Sequence, residues 1–326
     1  MTSILVLSRE EMRELLTLEV VVPAIEKAFV AFAAGRSFAY PVVRESVEGH
    51  QGIFGIKSGY LVDDQVLGLK AGGYWRDNPA LGLTAHQSMT LLFDPKTGVP
   101  TAFMDGNHIT TIRTAAVGAL AARVLARPES SVAAVLGCGV QGTAQAEALC
   151  HVLPIRELRI FDPSAANRRA FIERLGGRVS VTEAADGRAA VAGSDVVVTA
   201  VGGRTPVLFS DWVGAGVHIN AFGTDTRGKM EIETSLFRRA RLVVDDVTQA
   251  CALGETQAAI DAGLLERNGP WTTLGEVLSG LKQGRTRADE ITLFDATGLA
   301  FQDLVAASLA MGMARERGMG CHIALS

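Results

Sequence analysis

The sequence predicts an α/β protein: a doubly wound domain built on a parallel sheet, joined to a smaller α+β domain. Three observations predict it. Beyond about residue 130, continuously apolar runs alternate with helical stretches, as they do where helices cover both faces of a parallel sheet. Between residues 41 and 105, short runs alternate instead with Gly, Asp and Pro turns, the pattern of an antiparallel meander. Two Ala-rich helical stretches bracket the α/β block, so the chain is expected to leave the first domain, build the second and return. A length of 326 residues agrees with two domains.

Taken in order, Met12, Leu15, Leu16, Val20, Ala24, Ile25, Phe29, Val30 and Phe32 recur at helical spacing between Glu10 and Ala34. They predict one or two opening helices, interrupted near Pro23. The runs PVVRESV, IFGIKSGYLV, VLGLKAGGYW and SMTLLFDPKTGVPTAFMD then read as strands, with DPKTG as a hairpin turn. A long helix follows over 110–125. The strands of the second domain are SVAAVLG, ELRIFD, DVVVTAV, VHINAFG and RLVVDD, with helices from Gln141 and over 164–175. After Leu274 come a short helix, the strand ITLFDATG and a last helix over 299–316.

Composition narrows the function. Lys and Arg total 31 against 35 Asp and Glu, and no basic stripe is present, so nucleic acid is not an expected partner. The N-terminus MTSILVLSREEMREL lacks the basic and apolar regions of a secretory signal, and no apolar run reaches the roughly 20 residues of a membrane span. A cytoplasmic protein is expected. Cys138, Cys150, Cys251 and Cys321 form no CxxC pair, which points to reduced, mostly core thiols and no metal cluster.

One motif carries a cofactor reading. Gly137, Gly139 and Gly142 stand in GxGxxG spacing directly after an apolar strand and open a helix, with Val140 and Gln141 inside the loop. The first glycine permits the tight turn, the second admits a pyrophosphate and the third lets helix and strand pack closely. The helix N-terminus offers free N–H groups to phosphate. Asp162 ends the next strand, 20 residues past Gly142, where an acid accepts hydrogen bonds from both ribose hydroxyls and repels a 2′-phosphate. A Rossmann-type NAD(H) site follows, with NADP(H) disfavoured; Arg168 and Arg169 read as solvated charges.

Two further groups suggest substrate chemistry. Arg44, Lys57, Lys70 and Arg113 fall in or beside the strand-rich first domain. Lys70 and Arg113 sit among small and apolar residues, where a buried cation requires an anion such as a bound carboxylate. Asp225, in HINAFGTDTRGK, lies just past the carboxyl end of a sheet strand, the edge that faces ligands in open α/β sheets, and can exchange a proton with a substrate nitrogen.

With LGLKAGG, LLFDPKTGVPTAFMDGNHITTIRTAA, GCGVQG, INAFGTDTRGKMEIE and ITLFDATGLAFQDL, the chain resembles the ornithine cyclodeaminase and mu-crystallin family along nearly its whole length. The resemblance implies a substrate-binding and dimerisation domain of residues 1–115 with 299–326, an NAD-binding domain of residues 116–298, and a homodimer. It implies that Arg44, Lys70 and Arg113 hold the α-carboxylate of a small amino or imino acid, that Asp225 is the acid/base, and that Thr114 and Thr199 touch the cofactor. Lys70 joins Asp225 among the catalytic residues. The stretch GIFGIKSG lacks the Glu that receives the distal amine in ornithine cyclodeaminases and carries Lys57 instead. That departure, with LKAGGYW and AHQS, resembles the iminosuccinate reductases most, and His86 and Gln87 become candidate partners of a distal carboxylate. Alanine dehydrogenase, cyclic ketimine reduction and ornithine cyclodeamination are the alternatives within the family, and a mu-crystallin-like, non-catalytic binding protein is the alternative outside enzymes.

Overall fold

The computed structural model describes residues 3–325. The chain divides into two compact units, residues 1–113 with 299–326 and residues 114–298.

The first unit opens with β1 (Ser3–Leu7), α1 (Arg9–Leu15) and α2 (Leu18–Ala33). The helical break lies at Leu16–Thr17, not at Pro23, which sits inside α2. Ser8 starts α1 through a reciprocal capping box with Glu11, and Leu16 is extended. Val21, Val22, Ile25, Ala28 and Phe29 are buried on both sides of Pro23, and that packing outweighs the one backbone hydrogen bond the proline cannot donate. The strands β2 (Ser37–Ala39), β3 (Val43–Val47), β4 (Gly52–Leu61), β5 (Val66–Trp75), β6 (His86–Phe93) and β7 (Pro100–Asp105) follow. From β3 to β7 each pairs antiparallel with the next, as the meander reading expects. The α3 helix (Gly106–Leu125) begins four residues earlier than the sequence pattern placed it, because Asp105 accepts the His108 N–H and caps the first turn.

The second unit runs β8 (Val132–Leu136), α4 (Val140–Val152), β9 (Glu157–Phe161), α5 (Ala165–Leu175), β10 (Ser180–Glu183), α6 (Gly187–Val191), β11 (Val196–Thr199), β12 (His218–Ala221), β13 (Ala240–Val244), α7 (Val247–Leu253), α8 (Thr256–Asp261), α9 (Leu274–Leu278) and β14 (Ile291–Asp295). The strand order is β10-β9-β8-β11-β12-β14-β13, and every adjacent pair is parallel. Alternate residues of β8 enter opposite cores: Ala134 and Leu136 pack with Val197, Ile219 and Leu293, whereas Ala133 and Val135 pack with Leu158, Ile160 and Phe171. This is the doubly wound arrangement, with its order reversing between β8 and β11.

The chain then returns to the first unit through α10 (Ala300–Arg317) and β15 (Cys321–Ala324), which pairs with β1. Phe301 of α10 stacks edge-on against Phe29 of α2 at 5.1 Å, fixing both helices on one face of the first sheet. Cys138 and Cys251 are buried, while Cys321 is exposed rather than part of a core. Among the described residues no helix is long and apolar enough to cross a membrane.

Candidate active site

The glycine loop of the second unit has the shape the motif requires. Gly137 has φ +99°, and a Cβ there would lie 2.7 Å from the Ala200 carbonyl; at Gly142 a Cβ would lie 1.8 Å from the Gly137 carbonyl. Gly139 caps α4 without a side-chain hydrogen bond, its Cβ direction is open, and Val140 in the first turn is 65% exposed. The first N–H groups of a 13-residue helix are thus left to a ligand, a cradle that fits a pyrophosphate. Gln141 lies half-buried in the same turn.

Asp162 is buried and already accepts three protein donors: the Cys138 N–H at 2.8 Å and Asn167 Nδ2 at 3.2 Å on one oxygen, and the Ser164 N–H at 2.7 Å on the other. A carboxylate has about four acceptor directions. One remains, so Asp162 can take one ribose hydroxyl directly, and the second only by displacing the exposed Asn167. The glycine loop and Asp162 are therefore one assembly. Arg168 is not a solvated charge: Nε pairs with Glu183 at 2.6 Å and Nη1 donates to the Asp162 carbonyl at 2.6 Å. Arg169 is exposed. Thr199 ends β11, fully buried, and its hydroxyl favours the charged form of Glu231; the Thr114 carbonyl accepts from Gln145 at 2.8 Å.

In the first unit, register assembles the cations. Lys57 of β4 stands directly opposite Lys70 of β5, Lys70 opposite Thr90 of β6, and Arg44 of β3 opposite Gly55 of β4. Alternation then puts Arg44, Lys57, Lys70 and His86 on one face of the sheet and Gln87 on the other. Gln87 does not join the group; its amide donates to the Thr84 carbonyl and hydroxyl, both at 2.9 Å.

Arg113, from the third turn of α3, completes the cluster around a residue that sequence reasoning missed. Asp303 of α10 is wholly buried, 3.1 Å from Lys70 Nζ and 3.0 Å from Arg113 Nε. Gln302 accepts from Arg113 Nη1 at 2.8 Å, and the Thr110 hydroxyl accepts from Lys70 at 3.1 Å. The anion demanded by the burial of Lys70 and Arg113 is thus supplied first by the protein itself. Asp303 is held below the usual carboxylate range by Arg113, Lys70 and Lys57, in that order, against the opposing effect of burial. Burial, with Arg113 and Arg44, pulls Lys70 below the usual lysine range, and Asp303 resists. His86 Nδ1–H donates to Asn107 Oδ1 at 3.0 Å, and burial and Lys70 push its pKa down to about 4, so it is neutral at pH 7.

Asp225 lies in the turn after β12, 36% exposed, with Lys229 at 2.8 Å and the Thr226 hydroxyl at 3.1 Å. Lys229, four residues on, is a partner the sequence reading did not weigh.

The sequence profile of the ornithine cyclodeaminase/mu-crystallin family matches residues 3–318. Three solved structures are similar over nearly the whole chain. Δ1-pyrroline-2-carboxylate reductase of Thermococcus litoralis, in complex with NADH and L-proline, superposes with a TM-score of 0.95 at 31% identity, covering 98% of this chain and 100% of its own. An archaeal alanine dehydrogenase dimer with bound NAD gives 0.94 at 35%, covering 100% of both. The iminosuccinate reductase of Paracoccus denitrificans, in complex with NAD+, gives 0.91 at 34%, covering 99% and 100%.

Proposed function

The chain belongs to the ornithine cyclodeaminase/mu-crystallin family and is an NAD(H)-dependent oxidoreductase, and from that premise we propose that it reduces the imine of a small dicarboxylic keto acid, iminosuccinate, to the amino acid aspartate. The observation that carries the reading is the cross-strand pairing of Lys57 with Lys70. Like charges directly opposite one another weaken a sheet, and an anionic ligand with two carboxylates relieves that repulsion. A lysine at position 57 disfavours a diamine.

In this reading Arg44, Lys70 and Arg113 hold the α-carboxylate, while Asp303 keeps the two buried cations in fixed geometry by binding both. Lys57 takes the distal carboxylate, and neutral His86 offers a hydrogen bond rather than charge. Gln87 is left out. Asp225 protonates the imine nitrogen and stabilises the iminium, a much better hydride acceptor than the neutral imine. Lys70 is the second group able to give a proton, because burial loosens its hold on one. When bound at the glycine loop, NADH supplies the hydride. Fixing both substrate ends converts the encounter into a positioned step.

The face of the first sheet opposite the cations exposes Val43, Phe54, Phe103 and Ile323, at 50, 40, 38 and 49%. An apolar sheet face of this kind suits a second copy of the chain, and a homodimer is part of the proposal.

The test is NADH oxidation with ammonium and a panel of oxaloacetate, pyruvate and glyoxylate, with a cyclic ketimine and, in the oxidative direction, ornithine with NAD. Strong preference for oxaloacetate is expected. Preference for pyruvate or a cyclic imine overturns the role of Lys57 and keeps the family chemistry; absence of turnover with all of them overturns the enzymatic reading.

A further inference from the structure

Four acids are buried to 1% exposure or less along the carboxyl edge of the parallel sheet: Glu231, Glu255, Asp295 and Asp245. Each grips backbone N–H groups, and two of them, Asp295 and Glu255, grip the backbone of the next acid. Glu231 accepts the N–H groups of Val201 (2.5 Å) and Gly202, in the loop after β11. It also lies so close to the turn after β12 that a Cβ on Gly223 would fall 1.7 Å from its carboxylate. Glu255 accepts the N–H of Glu231 at 2.8 Å, that of Ile232 at 3.1 Å, and the hydroxyl of Thr224, the neighbour of Asp225. Asp295 accepts the N–H groups of Glu255 (3.1 Å) and Thr256 (2.9 Å). Asp245 accepts those of Thr297 (2.8 Å) and Gly298 (2.7 Å) and donates its own N–H to the Asp295 carbonyl at 3.2 Å.

Four adjacent buried acids cannot all be ionised without counterions. The cation acting on them is Lys229, on Glu231. The other charges acting on them are acids, Glu231 and Asp295 on Glu255, Asp245 on Asp295 and Asp246 on Asp245, while the N–H and hydroxyl donors pull each acid back toward its ionised form. On the α7 side the neighbour is the Cys251 thiol, which is itself raised by burial and feels Arg267, Asp295 and Asp246. Burial followed by Glu231 pushes Glu255 up to about 8, and burial raises Asp295 to about 7. Burial raises Glu231 and Asp245 as well, so all four acids are biased toward holding protons, and neighbours this close titrate in a coupled way.

We propose that these acids are positioning residues for the dinucleotide: a proton-holding chain that sets the loop after β11 beside Gly137 and ties it to the Thr224–Asp225 turn, so that NADH binding is proton-linked. The loop at its upper end touches the glycine turn through the Ala200 carbonyl. A phosphate-bearing ligand arriving there adds negative charge and strengthens the chain's hold on its protons. The inference concerns cofactor binding and stands whichever imino acid is reduced.

Calorimetric titration of the full chain with NADH at pH 7.5, in buffers of different ionisation enthalpy, counts the protons directly and needs no turnover. Uptake of a fraction of a proton per NADH is expected, vanishing toward pH 6. Glu231→Gln and Glu255→Gln should each reduce it and weaken NADH several-fold. Thr224→Val, which removes one hydroxyl from Glu255, should shift the pH at which uptake appears while leaving affinity at pH 6 unchanged. No uptake by the parent protein between pH 6.5 and 8.5, or uptake unaltered in all three variants, overturns the proposal. Because the parent's own count suffices, a variant that fails to fold does not rescue it.

Discussion

The two units settle buried charge in opposite ways. In the first, Lys70 and Arg113 converge on the single carboxylate of Asp303, and the cluster is held by ion pairs. In the second, Glu231, Glu255, Asp295 and Asp245 face one another with N–H donors but little cationic help, and protons take the place of counterions. A counterion keeps its partner charged at all ordinary pH, which suits residues that must attract an anion. A proton can be lost, so the second unit carries a pH dependence near neutrality that the ion-paired cluster of the first does not.

Asp225 is the exception that tests this contrast most severely, since it belongs to the second unit yet has Lys229 as an ion partner. Once the substrate displaces the lysine, the Asp225 carboxyl must hold a proton to give to the imine, and the carboxylate left behind then stabilises the iminium. Asp225→Asn should therefore lower kcat by about 10²–10⁴-fold, the usual worth of a positioned acid/base, with the NADH dissociation constant unchanged in a fluorescence titration. Full retention of kcat removes Asp225 from the chemistry.

Asp303→Asn comes next in size. Removing one partner of a buried ion pair leaves charge uncompensated, at a cost of about 3–5 kcal/mol, readable as a lower urea midpoint at constant slope. Replacing Lys70 as well, with Met, should return part of the loss, because the stranded cation is gone. A single variant as stable as the parent means the cluster is not held by this carboxylate.

The asymmetry between the units also explains what could be read from the residues alone. Continuous apolar runs such as SVAAVLG and DVVVTAV, and the fixed spacing of Gly137, Gly139 and Gly142, are local signals, and both the parallel sheet and the turn follow them. Strand β10 is short and mostly exposed, and β1 and β15 are terminal and paired through residues some 320 positions apart, so no local pattern betrays them. Asp303 lies 233 residues from Lys70 and looks, in AFQDLVAA, like the polar face of an ordinary helix. The buried acids end strands or begin turns, where an acid commonly caps a helix. Gln87 was misassigned because neighbours in a strand point to opposite faces, and only the register with β5 says which face holds Lys70.

Stability against pH separates the two regimes directly. Glu255 and Asp295 have folded-state values raised from 4.5 and 3.8 to about 8 and about 7, so the stability they contribute is full at acid pH and lost as pH rises through those values. His86 and His218, lowered to about 4 and about 3, contribute the opposite slope below their ordinary value of 6.5 and little above pH 7. The interval from pH 7 to 8.5 is therefore clear of the histidines, and unfolding free energy should fall across it by about 2 kcal/mol from Glu255 and Asp295. Glu255→Gln should flatten that decline. A flat profile in the parent means the acids are ionised throughout and the contrast with the first unit is lost.

The smallest effect is the most informative about substrate. Lys57 is half-buried, opposite Lys70 in the β4–β5 register, and adds to the forces that keep Asp303 charged. Its removal relieves one like-charge contact, so Lys57→Met should leave thermal stability the same or slightly higher. If Lys57 receives a distal carboxylate, kcat/KM for oxaloacetate with ammonium should drop about 5–10-fold, near 1 kcal/mol, the scale of a partly exposed ion pair. Pyruvate, lacking that group, should be unaffected, and the difference between the two substrates should shrink in high salt, where screening already does what the substitution does. An equal fall for both substrates would place Lys57 with the α-carboxylate group alongside Lys70, and would remove the argument that favours iminosuccinate over the other family substrates.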